Sequence, residues 1–166
     1  LKPSAVVLVS TIRALKHHGE GYLKRGIENL GKQIENMQLF GVPLVVAVNK
    51  FDSDKDEEIK FVQNYCRKKG VKAVLSEVWK KGSKGGIVLA KEILRLVKQK
   101  NKFHYSYQPQ QGVRRIVAEI AEKVYGADGV VWEKQAKKDL KRYERWGVKN
   151  LLVCMAQTPS PLPAST

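Results

Sequence analysis

Two cysteines and three histidines are too few for a metal centre or a disulfide framework in a chain of 166 residues. Cys66 and Cys154 lie far apart without metal-ligand spacing, and they read as two buried, reduced thiols of a cytosolic protein. His17 and His18 adjoin, so their side chains diverge, and His104 stands alone. No metal site is assigned from these residues. No carboxylate pair, Ser-His-Asp set or Cys-His set stands out either, so no catalytic residue is assigned. No apolar run approaches the ~18–20 residues of a membrane helix. The N-terminus lacks the charged, apolar and small-residue order of a signal peptide. The expected location is therefore cytoplasmic, with no membrane partner. The chain also opens without methionine, at Leu1-Lys2-Pro3, and runs almost at once into an apolar stretch. That beginning reads as an interior cut.

Acidic residues are scarce. Sixteen Asp and Glu face 31 Lys and Arg, which leaves a net charge of +15. The excess concentrates in residues 67–102, where twelve Lys or Arg stand against Glu77 and Glu92. A balance of this kind fits nucleic acid or another polyanion. The lysines, however, alternate with apolar helix positions, as on a solvated face. There is no Arg-Gly repeat and no interleaving of cations with aromatics. The charge is better suited to a basic rim for anionic ligands than to nucleic acid.

What is present is a globular pattern, with 43% hydrophobic residues. Residues 5–9 (Ala-Val-Val-Leu-Val) and 43–48 (Pro-Leu-Val-Val-Ala-Val) are continuous apolar runs rich in β-branched side chains. Continuity rather than alternation predicts strands buried on both faces, as in a parallel sheet. Residues 71–75 and 151–155 predict two more strands. Between them, Ile27, Leu30, Ile34 and Met37 recur at helical spacing, as do Ile59, Val62 and Cys66. The second of these helices is expected to open on a capping pair, Ser53 and Asp56, and to close on Arg67-Lys68-Lys69-Gly70. Ile87, Ile93, Leu94 and Val97 mark a further helix. Another runs from Val113 through Val124 to a stop at Gly126. A polar helix over residues 133–146 is expected to turn Leu140, Tyr143 and Trp146 inward.

Alternating strands and helices predict an α/β fold: a mostly parallel sheet with helices on both faces. Ligands of such sheets gather beyond the carboxyl ends of the strands. That directs attention to residues 10–13, 49–54, 76–86 and 156–158. The expected organisation is a single α/β core over 1–157, followed by a disordered Pro-rich tail, 158–166.

The sharpest local motif is Asn49-Lys50-Phe51-Asp52, delivered by the strand at 43–48. In P-loop GTPases this Asn-Lys-x-Asp spacing reads guanine. The alternative is a polar turn that caps the next helix. Gly26-Ile-Glu-Asn-Leu-Gly31-Lys32 matches G-x-x-x-x-G-K, but it is rejected as a phosphate loop. Gln33 replaces the Ser or Thr that would hold Mg²⁺, no strand precedes it, and Ile27, Leu30 and Ile34 place it inside a helix. Gly82-Ser83-Lys84-Gly85-Gly86 precedes a helix start. Its backbone N–H groups could hold an anion, and a plain flexible loop is the alternative.

A longer segment carries more information. Val9-Ser10-Thr11-Ile12-Arg13-Ala14-Leu15-Lys16-His17-His18-Gly19-Glu20 closely resembles the V-A-T-[IV]-R-A-L-K-x-[HN]-G-G signature of formate–tetrahydrofolate ligases, departing at Ser10 and Glu20. Residues 40–51, Phe-Gly-Val-Pro-Leu-Val-Val-Ala-Val-Asn-Lys-Phe, resemble the family's F-G-V-P-V-V-V-A-I-N-x-F. Glu77-Val78-Trp79 with Gly82, Gly85 and Gly86 is similar to its E-x-W…G-G-x-G-G segment. Tyr125-Gly126-Ala127 and Cys154-Met155-Ala156-Gln157-Thr158 are similar to its Y-G-A and C-M-A-K-T.

The resemblance implies a P-loop-type, three-layer α/β core. It implies an ATP-dependent ligase joining formate to tetrahydrofolate through formyl phosphate, to give 10-formyltetrahydrofolate in one-carbon metabolism. ATP and Mg²⁺ are the implied cofactors, and the parent enzymes are commonly tetrameric. By resemblance, Asn49 and Phe51 meet adenine, with Thr11 and Arg13 in the same nucleotide pocket. Trp79, Gly82, Gly85 and Gly86 form a substrate or anion loop. The family's phosphate loop and its folate-associated Gly-Phe and P-G-L-P segments have no counterpart in the chain. Gln157 stands where the family has Lys, and the prolines that follow depart from it altogether. The expectation is a fragment of the ligase core that is inactive alone. A piece of a P-loop GTPase and a basic polyanion-binding module are the competing readings.

Overall fold

The computed structural model describes residues 2–147 and 151–155. The chain divides into two compact units, Leu1–His104 and Tyr105–Thr166.

The first unit is a three-stranded parallel sheet in the order β1 (Val6–Ser10), β2 (Leu44–Asn49), β3 (Lys72–Ser76). Leu8 pairs with Val46 and Val46 with Ala73, so β2 is hydrogen-bonded on both sides. The connections are α1 (Ile12–His18) and α2 (Leu23–Gln38) after β1, then α3 (Asp56–Lys68) after β2. All three helices cover one face. There Val46 and Val48 meet Ile12, Leu15, Ile27, Leu30, Ile34, Ile59, Val62 and Cys66. On the other face Val45 and Val74 pack with Leu96, Leu89 and Ile93 of α5 (Ile87–Leu96). The expected three layers are present. Full burial of each large aliphatic contributes roughly 1.5–3 kcal/mol, so β2, enclosed on both faces, is the most strongly held strand.

β1 differs from its expected double burial. Val7 is 37% and Val9 59% exposed. Both point to the α5 side, opposite Val45 and Ala47, and the packed cluster there joins α5 to β2 and β3. α1 was not singled out in the sequence. It is seven residues long and buries two apolar side chains, Ile12 and Leu15, too few to show a period. α3 begins later than its expected Ser53–Asp56 pair. Asp54 turns back to accept the Phe51 N–H at 2.9 Å, and the helix starts after Lys55, whose N–H donates to Glu58 at 3.3 Å. Its end is as expected, with Gly70 at a φ of +74°.

The glycines of the rejected phosphate motif have packing roles inside α2. A Cβ on Gly26 would strike the backbone carbonyl of Leu15, and one on Gly31 the hydroxyl of Tyr65. Gly26 thus lets α1 and α2 approach backbone to backbone.

Within the second unit, α6 (Val113–Tyr125) buries Ile116, Ile120 and Ala121 and stops at the left-handed Gly126, as expected. α7 (Lys134–Arg145) buries Leu140 but not the two aromatics. Tyr143 is 40% and Trp146 65% exposed. The Arg142 guanidinium lies over both rings, 5.6 and 5.2 Å from their centroids, so their faces meet a surface cation instead of a core. Residues 151–155 form no strand. Both backbone groups of Val153 bond to the Tyr107 hydroxyl, which leaves no ladder at that residue. Cys154 is exposed, against its expected burial, while Cys66 is buried and its thiol is pushed up to about 11 by desolvation. Gln157 and the tail at 158–166 lie outside the described residues. No helix among those described is long and apolar enough to cross a membrane.

Two outcomes follow from this packing. Gly26→Ala is expected to cost about 3 kcal/mol or more, because backbone rather than a side chain must move. Gly31→Ala, which meets the tip of Tyr65, should cost less, and denaturant midpoints compare the two. Glu92 is buried and held by Arg95 at 2.6 Å and Lys72 at 2.7 Å. Those two cations depress its carboxyl from 4.5 to about 2. A depressed carboxyl stabilises the fold above its unfolded value and loses that contribution as pH falls through its folded value. Wild-type stability should therefore decline between pH 4.5 and about 2. Glu92→Ala should lose about 1–2 kcal/mol at neutral pH and show a shallower acid decline.

Candidate ring-binding site at the strand ends

β2 ends on Asn49 and β3 on Ser76, and the sheet register places these two residues side by side. The Lys50 N–H donates to the Ser76 carbonyl at 2.9 Å, which carries the pairing one step beyond the strands. Past this point both chains turn over the carboxyl end of the sheet. β3 runs through Glu77 into the single-turn helix α4 (Val78–Lys81), then a 3₁₀ turn, Gly82–Gly86, that leads into α5. Between the two turns lies a pocket of about 410 Å³ lined by Asn49, Lys50, Phe51, Ser76, Val78 and Trp79.

Its lining combines aromatic and polar groups. Phe51 and Trp79 supply two aromatic walls. The Asn49 amide and the Ser76 hydroxyl supply donors and acceptors at the strand ends. The Arg13 guanidinium sits 5.4 Å from the centre of the Phe51 ring. Trp79 is 80% exposed, a costly place for an indole unless it meets a partner.

The charges around the slot are paired. Lys50 meets Asp56 and Lys80 meets Asp52, each at 2.7 Å, and Lys81 meets Glu77 at 2.6 Å. The Lys80 ammonium holds the Asp52 carboxyl below its usual range, and Lys50 does the same to Asp56. Asp56 in turn raises Lys50. A guanine reader needs a free Asp in the Asn-Lys-x-Asp motif. Here that carboxylate is already bound to Lys80.

The candidate residues separate by role. Asn49 and Phe51 share one pocket with Trp79, although the sequence placed them in two sites. Arg13 touches the Phe51 ring. Thr11 does not line the pocket. Its hydroxyl accepts the Ala14 N–H at 3.0 Å and caps α1. Gly82, Gly85 and Gly86 do not line it either. They form a 3₁₀ turn, Gly82–Gly86. A Cβ on Gly85 would strike the Glu77 carbonyl, and the Glu77 N–H donates to the Gly85 carbonyl at 3.2 Å. Gly82 sits at a φ of +55°. Lys50 appears in the sequence reading only as part of the Asn-Lys-x-Asp motif, and Ser76, Val78 and Lys80 only within the segment 76–86; none of the four is among its site residues. The signal for Ser76 was its place at a strand's last position. The others depend on how two turns meet, which spacing does not reveal.

The family model of formate–tetrahydrofolate ligase matches residues 1–165. The chain belongs to that family. This ligase family uses ATP. No residue of the slot is assigned to Mg²⁺. Among the described residues no group of three His, Cys, Asp or Glu could hold a metal ion. Beside the slot, Asp52 and Asp56 are each bound to a lysine and Asp54 to a backbone N–H.

Gly85→Ala is expected to displace the 77–86 turn and abolish ligand binding at the slot while the sheet persists. Circular dichroism would show the retained helices. Gly82→Ala, strained at positive φ alone, should cost about 1 kcal/mol and weaken binding less.

Proposed function

We propose that this chain carries the ring-binding part of a formate–tetrahydrofolate ligase. The reaction class is ATP-dependent joining of formate to tetrahydrofolate, giving 10-formyltetrahydrofolate. The observation that carries the reading is the pocket lined by Asn49, Phe51 and Trp79 beyond the carboxyl ends of two parallel strands. In a ligand complex Phe51 and Trp79 stack on a planar heterocycle, and Asn49 and Ser76 bond to its edge. Arg13 backs the Phe51 ring and lends positive charge beside it. Thr11 acts indirectly, by fixing the start of α1 and so the place of Arg13.

The first assignment for the heterocycle is adenine of ATP. Trp79 favours a second, the pterin of tetrahydrofolate. Its segment resembles the substrate loop, yet it shares the slot with Phe51.

Phosphate chemistry is a different matter. Gly26 and Lys32 lie within α2, where Gly26 is occupied in helix packing. No step of phosphoryl transfer is assigned to the described residues. The chain on its own is therefore expected to bind a ring without turnover. Part of the basic stretch is paired internally. Lys69, Lys72, Lys80, Lys81 and Arg95 of the basic stretch all have carboxylate partners.

The test is ATP- and formate-dependent formation of 10-formyltetrahydrofolate beside an active full-length relative, with equilibrium dialysis of ATP and of tetrahydrofolate. The expected result is no product, with one of the two ligands bound. Phe51→Ala and Trp79→Ala should each weaken that binding about ten-fold, the scale of a lost ring stack. Product formation by the chain would contradict the exclusion of Gly26 and Lys32 from phosphate chemistry. Binding untouched by both substitutions would remove the slot from the reading.

A further inference from the structure

The fourth residue of the Asn-Lys-x-Asp motif has no role in the reading above, and its partner lies on the helix that carries Trp79. α4 is four residues long and buries no side chain. Val78 is 49% exposed and Trp79 80%. A helix that puts no apolar side chain into a core lacks the usual anchor. Its fixed points are polar. At its start, Glu77 exchanges a backbone bond with Gly85 and an ion pair with Lys81. Both contacts lie within the 77–86 turn, and neither ties that turn to the loop holding Phe51. Lys80 does. Its Nζ meets Asp52 Oδ1 at 2.7 Å, across 28 positions of sequence and one residue beyond Phe51. The Asp52 side of the contact is held in its turn. The Phe51 N–H is bound by Asp54, and Lys50 is bound by Asp56 at the start of α3.

We propose that the Lys80–Asp52 ion pair is a latch that positions the Trp79 wall of the slot relative to the Phe51 wall. Asp52 and Lys80 are positioning residues and touch no substrate. The latch tunes the ring slot read above, and so rests on that reading for its use though not for its existence. Because both side chains are largely exposed, 72% and 62%, its effect is limited to the few-fold range of surface ion pairs and is screened by salt. A few-fold bias is enough to decide where an unanchored single-turn helix spends its time. The same pairing competes with a guanine-like edge for Asp52 Oδ1.

The experiment uses the full chain labelled with 5-fluorotryptophan, which gives three fluorine signals for Trp79, Trp132 and Trp146, assigned with Trp79→Phe. In Asp52→Asn and in Lys80→Met, the Trp79 signal is expected to move to one shared position. High salt should drive the wild type toward that position, and the signals of Trp132 and Trp146 should stay in place. The doubly reversed Asp52→Lys, Lys80→Asp chain should return the signal toward the wild-type position, which a loss of folding could not do. Affinity for whichever of ATP or tetrahydrofolate binds should fall about two- to five-fold in the single variants and recover in the reversed pair. An unmoved Trp79 signal would overturn the latch whatever the ligand result. A moved signal with unchanged affinity would overturn its role in positioning the slot. A wild type that binds neither ligand would defeat the ring-slot reading, and the fluorine signals would still decide the latch.

Discussion

The site depends on the pairing of β2 with β3 at their carboxyl ends. Asn49 stands beside Ser76, and the Lys50 N–H extends the ladder to the Ser76 carbonyl. That pairing sets the distance between the two turns that follow, and the pocket is the space between them. It is robust because β2 lies deep in the fold. Val45, Val46 and Val48 are fully enclosed, with α1, α2 and α3 on one side and α5 on the other. The free energy of the core is thereby spent where two loops must meet in a fixed register. The loops themselves contribute little hydrophobic burial.

A gradient of stability runs outward from β2. The Asn49 end is rigid by pairing, and Phe51 follows it within two residues. Trp79 lies farther out, on a helix with no buried side chain, and its position rests on backbone closure at Gly85 and on charge. Such an arrangement suits a site in which one wall is fixed and the other adjusts to a ring. The glycines of the 77–86 turn fit the same picture. Gly85 is small because backbone lies against backbone there.

Much of this was legible in the sequence. The runs at 5–9 and 43–48 became β1 and β2 within one residue, because an unbroken β-branched stretch has few other ways to be buried. The amphipathic helices α2, α3, α5 and α6 followed from their apolar periods. The same pattern placed Gly26 and Lys32 inside a helix, and α2 contains both. The misreadings share a cause. Tyr143, Trp146, Val7 and Val9 were assigned to a core because they are apolar, but burial depends on having a partner. Arg142 covers the two rings, and the cluster around α5 is built on β2 and β3. Residues 151–155 have a strand's composition without a ladder at Val153. The union of Phe51 with Trp79 was hidden for a related reason. It follows from strand register and from a four-residue helix, and neither leaves a periodic trace.

The most direct test of the slot is a backbone and side-chain amide map of the isotopically labelled chain, recorded by nuclear magnetic resonance while ATP or tetrahydrofolate is added. The arrangement predicts that one ligand shifts the Asn49, Phe51 and Ser76 amides and the Trp79 indole together. Helix α2, including Gly26 and Lys32, should be silent. Shifts centred on α2, or scattered over the lysines of residues 67–102 without the Trp79 indole, would contradict a ring slot at the ends of β2 and β3.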